Sequence, residues 1–504
     1  MSARLYSAAV LGIEAVSVEV EVDVLSQGLH NFTLVGLPDQ ANKESRERVS
    51  AALKNSGFRP PHQQGRITVN LAPADLPKNS PIYDVPIALG ILLATEQLLF
   101  MPEKKLFIGE LALDGKIRKV SGVLAIALFA LQAGYEELYI PEENAHEVSM
   151  LTGIKIFSVT TLGGMVRHLR GEALLCALVP ETPVYEAKVY SYDMEYIRGQ
   201  EQAKRALEVA AAGGHNILFV GPPGSGKTLL AKTLPSILPA LRFEERLEVM
   251  KIFSVAGKIH RDFSQFERPF RAPHHSASAV SLIGGGSYPK PGEISLAHRG
   301  VLFLDEFAEF PRGVLEGLRQ PLEEGVVSVS RAKGSIEFPA RFMLVAAMNP
   351  CPCGFAGDPE RACACSPFQV ERYRQKVSGP LLDRIDLHIE VPRQKIEKLQ
   401  DEQKGELSSI IQERVEKARK RQEERFALES VHMNAEMSSE QVRRFCPLTE
   451  EGKEILRMAV ERLHLSARGY MRILKVARTI ADLRESECIQ VEHLGEALQY
   501  RFND

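Results

Sequence analysis

The chain has 504 residues, 44% hydrophobic and 25% charged, and its 62 Lys and Arg against 65 Asp and Glu leave a formal charge of -3. At roughly 150 residues per domain there is room for about three domains with apolar cores of their own, which excludes extended disorder. The near-zero balance also excludes a wholly basic, histone-like protein, while leaving room for nucleic acid at a local basic patch.

The opening MSARLYSAAVLGIEAVSVEVEV places acidic residues inside its apolar stretch, so it reads as strands rather than as a secretory segment. Residues 5–24 read as a strand with one polar face, VSVEVEVDV being the cleanest alternation. A helix over 43–58 closed by Gly57, a short strand over 67–73 and a buried helix over 84–98 follow. The apolar run VPIALGILLA at 85–94 is too short to span a bilayer, so no membrane is expected. A hairpin turning at Asp114 and Gly115, a helix over 121–133 and a strand over 137–140 complete an α/β domain assigned to residues 1–178.

Residues 179–194 carry no long periodic pattern and read as a linker. From 195 to 395 the apolar strands NILFV, VLFLD, FMLVAAM and DLHIEV alternate with stretches that can hold helices, which predicts a parallel sheet covered on both faces. Residues 396–504 turn charged and helical, with helices expected over 408–426, 438–445, 449–463, 470–485 and 491–501.

The strongest chemical signal is GPPGSGKT at 221–228, between strand NILFV and the helical LLAKTL. Gly221, Pro222, Pro223, Gly224, Ser225 and Gly226 let backbone N–H groups wrap a phosphate. Lys227 brings a positive charge to it, Thr228 offers a hydroxyl to Mg2+, and Leu229 continues the helix whose N-terminus faces the anion. VLFLDE at 301–306 ends a buried strand on two carboxylates: Asp305 for the Mg2+ shell and Glu306 to polarise a water, which implies hydrolysis and favours ATP over GTP. Asn349, ending the next strand, either orients that water or caps the chain before Pro350. Arg384, flanked by Asp383 and Asp386, is either salt-bridged internally or reaches a neighbouring subunit's γ phosphate, an arrangement that needs a ring or filament.

Four of the seven cysteines, Cys351, Cys353, Cys363 and Cys365, form two C-x-C pairs in one loop. Four thiolates suit a closed, structural Zn2+ site; free reduced thiols and a regulatory disulfide are the alternatives, and sparse cysteine otherwise points to the cytoplasm. The run KARKRQ at 417–422 reads as a solvated helix face or a DNA contact, its alternating Glu and Lys or Arg surroundings favouring the former.

Together GPPGSGKT, VLFLDE, Asn349 and LLDRID resemble the Walker A, Walker B, sensor 1 and arginine-finger positions of an AAA+ ATPase. NLAPADLPK, RAPHHSASAVSLIGGG, NPCPCG, CSPFQVERYRQKVSGPLLDRID and SARGYMRILKVARTIADL extend the resemblance over nearly the whole chain to the Mg-chelatase-like AAA+ ATPase family of the bacterial competence-protein type. That resemblance implies a Lon-protease-like N-terminal α/β domain, a central AAA+ P-loop ATPase domain of the helix-2-insert class and a C-terminal helical lid. Arg472 would be sensor 2, reaching from the lid to the nucleotide, with Arg468 the second candidate. Residues 271–300 would form a pore-facing hairpin in which His274, His275, Lys290, His298 and Arg299 are DNA candidates. The N-terminal domain departs from a Lon-type peptidase: Asp84 stands where a nucleophilic Ser is expected, Ser80 has only Lys78 near it in sequence, and SGVLAIALFA lacks the activating Lys, so peptidase activity is not expected.

By this resemblance the expected function is an ATP- and Mg2+-dependent homo-hexameric DNA motor, a helicase for branch migration in homologous recombination or natural transformation, working on branched or single-stranded DNA and with recombination proteins. The alternatives are a chelatase-like or protein-remodelling ATPase, and an N-terminal module that binds a protein partner with the ATPase as its switch.

Overall fold

The computed structural model describes residues 2–501 except 26–29, 37–38, 75, 77, 79–80, 181–189, 260–266, 287–288, 332–333, 395–404, 430 and 463–464. Ser80, most of the expected linker and the expected boundary at 395/396 therefore lie outside the described residues. The chain packs as two compact units, Met1–Glu186 with Arg246–Gln265, and Ala187–Glu245 with Phe266–Asp504.

In the first unit β1 (Ser2–Leu11), β2 (Glu14–Leu25), β3 (Asn31–Val35), β4 (Arg66–Ala72), β5 (Lys105–Phe107), the short β6 (Glu110–Leu111) and β7 (Ile117–Arg118), β8 (Glu137–Pro141) and β9 (Lys155–Val159) follow one another. Seven of them form one mixed sheet, ordered β3-β4-β2-β1-β5-β8-β9. Residues 5–24 are two antiparallel strands rather than one: the chain reverses at Gly12, whose φ of 65° suits glycine, and pairs Leu5 with Val20. Alternation in β2 puts Val18, Val20 and Val22 in the core. The helices Asp84–Ala94 and Val123–Gln132 are apolar nearly all round, as buried helices are. Gly90 lets the first lie flush on β2, since a Cβ there would fall 2.6 Å from Val22 Cγ2.

Residues 246–259, expected within the ATPase core, pack with the N-terminal unit instead. The reason is a buried polar knot: Ser254 donates from Oγ to Glu147 Oε2 at 2.6 Å, and the Leu124 N–H donates to Ser254 Oγ at 3.2 Å. Burial pushes the Glu147 carboxyl up, while bonds from Ser254 and Asn144 oppose the rise.

In the second unit come β10 (Ile217–Val220), β11 (Phe270–Arg271), β12 (Gly284–Gly285), β13 (Lys290–Pro291), β14 (Val301–Leu304), β15 (Val326–Arg331), β16 (Gly334–Pro339), β17 (Met343–Met348) and β18 (Leu387–Glu390). An all-parallel sheet runs β11-β14-β17-β10-β18, joined by an antiparallel β15–β16 hairpin and a β12–β13 pair. The C-terminal helices Ser408–Arg425, Ser439–Phe445, Glu450–Arg462, Ala467–Leu483 and Val491–Gln499 stand where helical spacing predicts them. They are no separate body: Ile411, Val415, Ile473, Val476 and Ile480 share one apolar core with Leu207, Phe219 and Leu387. Arg419 and Gln422 of the basic run donate to the Ala211 and Ala212 carbonyls, at 2.7 and 2.9 Å, closing the C-terminal end of the helix Glu201–Gly213.

Candidate functional site

A parallel sheet gathers the carboxyl ends of its strands at one edge, and the loops after β10, β14 and β17 meet there. Gly221 leaves β10 so close to β18 that a Cβ on it would lie 2.2 Å from the Val391 carbonyl oxygen. Gly224 and Gly226 take φ of 76° and 93°, which wraps the loop before the helix Lys227–Ile237. Gln200 braces the loop, donating from Nε2 to the Ser225 and Pro392 carbonyls at 3.3 and 2.7 Å.

Lys227 folds back on this loop, donating from Nζ to the Gly221 and Pro222 carbonyls at 2.7 and 2.9 Å and to Asn349 Oδ1 at 3.3 Å. Burial pulls its ammonium down to about 8 against the attraction of Asp305. Thr228 Oγ1 donates to Asp305 Oδ2 at 2.7 Å, so the hydroxyl and carboxylate expected to share a cation do meet. Glu306 follows with a positive φ of 52° and an exposed carboxylate, 2.8 Å from His275 Nδ1. Asn349, Lys227, Thr228, Asp305 and Glu306, read from three separated stretches, thus form one site.

Other candidates fall elsewhere. Arg384 and Arg472 stand at the opposite edge of the sheet, where β10, β14, β17 and β18 begin, lining a cavity of about 470 Å³ with Asn216, Gly300, Met343 and Asp386. Seven basic side chains, Arg268, Arg299, Arg341, Arg384, Arg419, Arg472 and Lys475, face four acidic ones there. Arg384 is buried rather than on the surface, donating to the Pro380 carbonyl and paired with Glu323. Arg468 reaches the same Glu323 at 3.1 Å, and Arg472 Nε sits 3.6 Å from Asp386 Oδ1. Burial works against the Asp386 carboxylate, yet Arg472 and His215 outweigh it and hold the group well below the usual range. Arg384 Nε and Arg472 Nη1 are buried with no hydrogen-bond partner among the described residues. Arg472 therefore does not reach this chain's own phosphate loop, because its helix turns it onto Asp386 at the far edge.

Arg299 is also corrected as a DNA candidate: a φ of 58° just before β14 turns it inward, its side chain is 6% exposed, and it lines the same cavity. His298 is likewise buried, its Nδ1 accepting from the Arg341 N–H at 3.0 Å. His274 and Lys290 remain exposed, and His275 is committed to Glu306. In the N-terminal unit Asp84 is fully buried, accepting from Ser45 Oγ and Arg48 Nε at 2.7 Å each. Lys78 is buried with Nζ on the Leu71 and Pro73 carbonyls. Gln200, Glu323, Arg268 and Arg341 are the residues that spacing alone missed, along with the contact of His275 with Glu306. Each lies far in sequence from its partner, so no local pattern marks it.

The four sulfurs of Cys351, Cys353, Cys363 and Cys365 lie within 4.8 Å of one another. No helix of the described residues is long and apolar enough to cross a membrane.

Three family models match: magnesium chelatase, subunit ChlI, over residues 193–399; subunit ChlI of Mg-chelatase over 20–144; and magnesium chelatase, subunit ChlI C-terminal, over 405–501. The chain is 47% identical to competence protein ComM of Haemophilus influenzae, over 99% of this chain and 97% of that protein. It is 44% identical to the protein YifB of Escherichia coli, over 99% and 97% respectively. A more distant relative, the magnesium-chelatase 38 kDa subunit of Cereibacter sphaeroides, is 28% identical over 31% of this chain and 51% of its own length. With its phosphate loop, acidic strand end and Asn349 gathered at one sheet edge and its whole length matched, the chain belongs to the Mg-chelatase-like AAA+ ATPase family of the competence-protein type.

Proposed function

We propose that this protein is an ATP-driven, homo-hexameric DNA motor that promotes branch migration during recombination or natural transformation. The observation that carries the ATPase part is the Thr228–Asp305 hydrogen bond beside Lys227 and Asn349, a constellation suited to a nucleotide triphosphate. Thr228 and Asp305 would hold Mg2+, which supplies charge neutralisation at the phosphate oxygens. Lys227 binds the β and γ phosphates, Asn349 orients a water, and Glu306 takes its proton as the water oxygen bonds to the γ phosphorus and the bond to ADP breaks.

The far-edge arginines support the ring. Arg384 and Arg472 face away from their own phosphate loop, so they serve catalysis only by meeting the γ phosphate bound to the next copy. Exposed His274 and Lys290 on the segment after β11 are the DNA-facing candidates, and the relationship to ComM supports the competence role. The loop 351–365 would take a structural Zn2+. Turnover measured without DNA and with single-stranded, duplex and four-way-junction DNA tests this, with Lys227→Ala as the blank. Stimulation by DNA and strand displacement by the wild type are expected. Equal turnover on every substrate would favour the chelatase-like or protein-remodelling reading, for which the magnesium chelatase matches speak.

A further inference from the structure

The loop 351–365 begins two residues after Asn349, which Lys227 contacts, and ends at Ser366, the N-cap of the helix Pro367–Arg374 with a full capping box. Within it the sulfurs of Cys351, Cys353 and Cys363 are 3.4, 3.6 and 3.5 Å apart. A disulfide needs about 2.05 Å. A tetrahedral Zn2+ with Zn–S of about 2.3 Å sets its sulfurs about 3.8 Å apart, close to what is seen. The Ala356 N–H points at Cys351 Sγ, 3.2 Å away, as an N–H donor to a metal-bound thiolate does.

This loop also lies against the phosphate loop. Gly354 has φ of 85°, and a Cβ on it would fall 2.6 Å from Pro223 Cδ and 3.9 Å from Asn349 Cγ. On its other side the loop is tied to the strand that flanks Gly221: Arg393, just after β18, reaches Asp358 at 3.3 Å and lies over the Phe355 ring at 5.3 Å. Little apolar packing holds the segment: among residues 351–365 only Cys351 and Gly354 are buried.

We propose that the four thiolates bind one Zn2+ and that this ion is a structural part of the nucleotide site, holding Gly354 on Pro223 and Asn349 on Lys227 so that nucleotide affinity depends on the metal. The proposal rests on the zinc and phosphate-loop readings above and adds their coupling. It assigns no chemistry to the ion, whose four positions are closed to water.

The test uses the full-length protein. Metal content by mass spectrometry is expected to give about one zinc per chain, and removal by chelator to weaken binding of a fluorescent ATP analogue by about tenfold, restored by Zn2+. Cys363→Ser with Cys365→Ser should lose both metal and affinity. Gly354→Ala keeps all four thiols and should retain zinc while losing affinity, which separates the contact on Pro223 from general unfolding. Protein without zinc, iron in its place, or zinc-free protein that binds the analogue as tightly as before would each overturn the proposal. Undiminished binding by Lys227→Ala would instead show that the phosphate-loop reading itself had failed, and the coupling with it.

Discussion

Lys227 shows how a single residue's environment encodes its use. Buried among carbonyls, its ammonium sits at about 8 and is made easier to deprotonate than a surface lysine. A phosphate favours the charged form, so nucleotide affinity should be full below about pH 8 and fall as pH rises through it, by up to about tenfold per pH unit; titrating affinity from pH 7 to 9.5 checks this. Glu306 and His275 form a second residue-scale device. Glu306→Gln is expected to lower kcat by about 10²–10⁴ with nucleotide binding kept. To take a water's proton Glu306 must give up its contact with His275, and an exposed pair of this kind is worth about 0.5–1 kcal/mol. His275→Ala should therefore raise basal kcat by about two- to fivefold without changing KM, which steady-state kinetics reads. Glycine loop, lysine and strand-end carboxylates were legible because their chemistry sits in one short string each. The histidine was legible only as a DNA candidate among glycines, because its partner is 31 residues away, from 275 to 306.

At the scale of elements, helices over roughly ten residues and strands with apolar runs were legible, since periodicity needs length to stand out. The edge strand β11 has two residues and no pattern to read, yet it opens the segment that carries His275. The break between β1 and β2 was also missed, because a single Gly12 between two apolar and acidic runs gives no turn cluster to read. The helix Asp84–Ala94 was read as buried, and the structure adds what holds its first turn: Asp84 on Ser45, Arg48 and the Leu111 N–H. Burial raises this carboxyl while Arg48 and Ser45 lower it, and the contact ties two helices together. Arg48→Ala should leave Asp84 buried without its charge partner and cost about 3 kcal/mol, read as an earlier unfolding transition in denaturant with nucleotide affinity unchanged.

Over the whole molecule, the prediction concerns neighbouring copies. Arg384→Ala and Lys227→Ala proteins should each be inactive as ATPases, Glu323 keeping Arg468 as its partner in the first so that the fold survives. Mixed in equal amounts they should regain turnover, up to about a quarter of wild type, because one interface in four then joins an intact Lys227 to an intact Arg384. Additive inactivity on mixing would place both residues in the same copy's chemistry. From its letters alone the chain declared nucleotide binding, hydrolysis and an α/β architecture with helices at the end, since a phosphate cradle and an amphipathic helix are each written in contiguous residues. Only the folded chain decided that residues 246–259 pack with the N-terminal unit, that the final helices share the ATPase core, and that Arg299 turns inward. It alone placed Arg384 and Arg472 at the sheet edge opposite Lys227, because which strand ends adjoin depends on sheet order, and sheet order is set by packing between segments hundreds of residues apart.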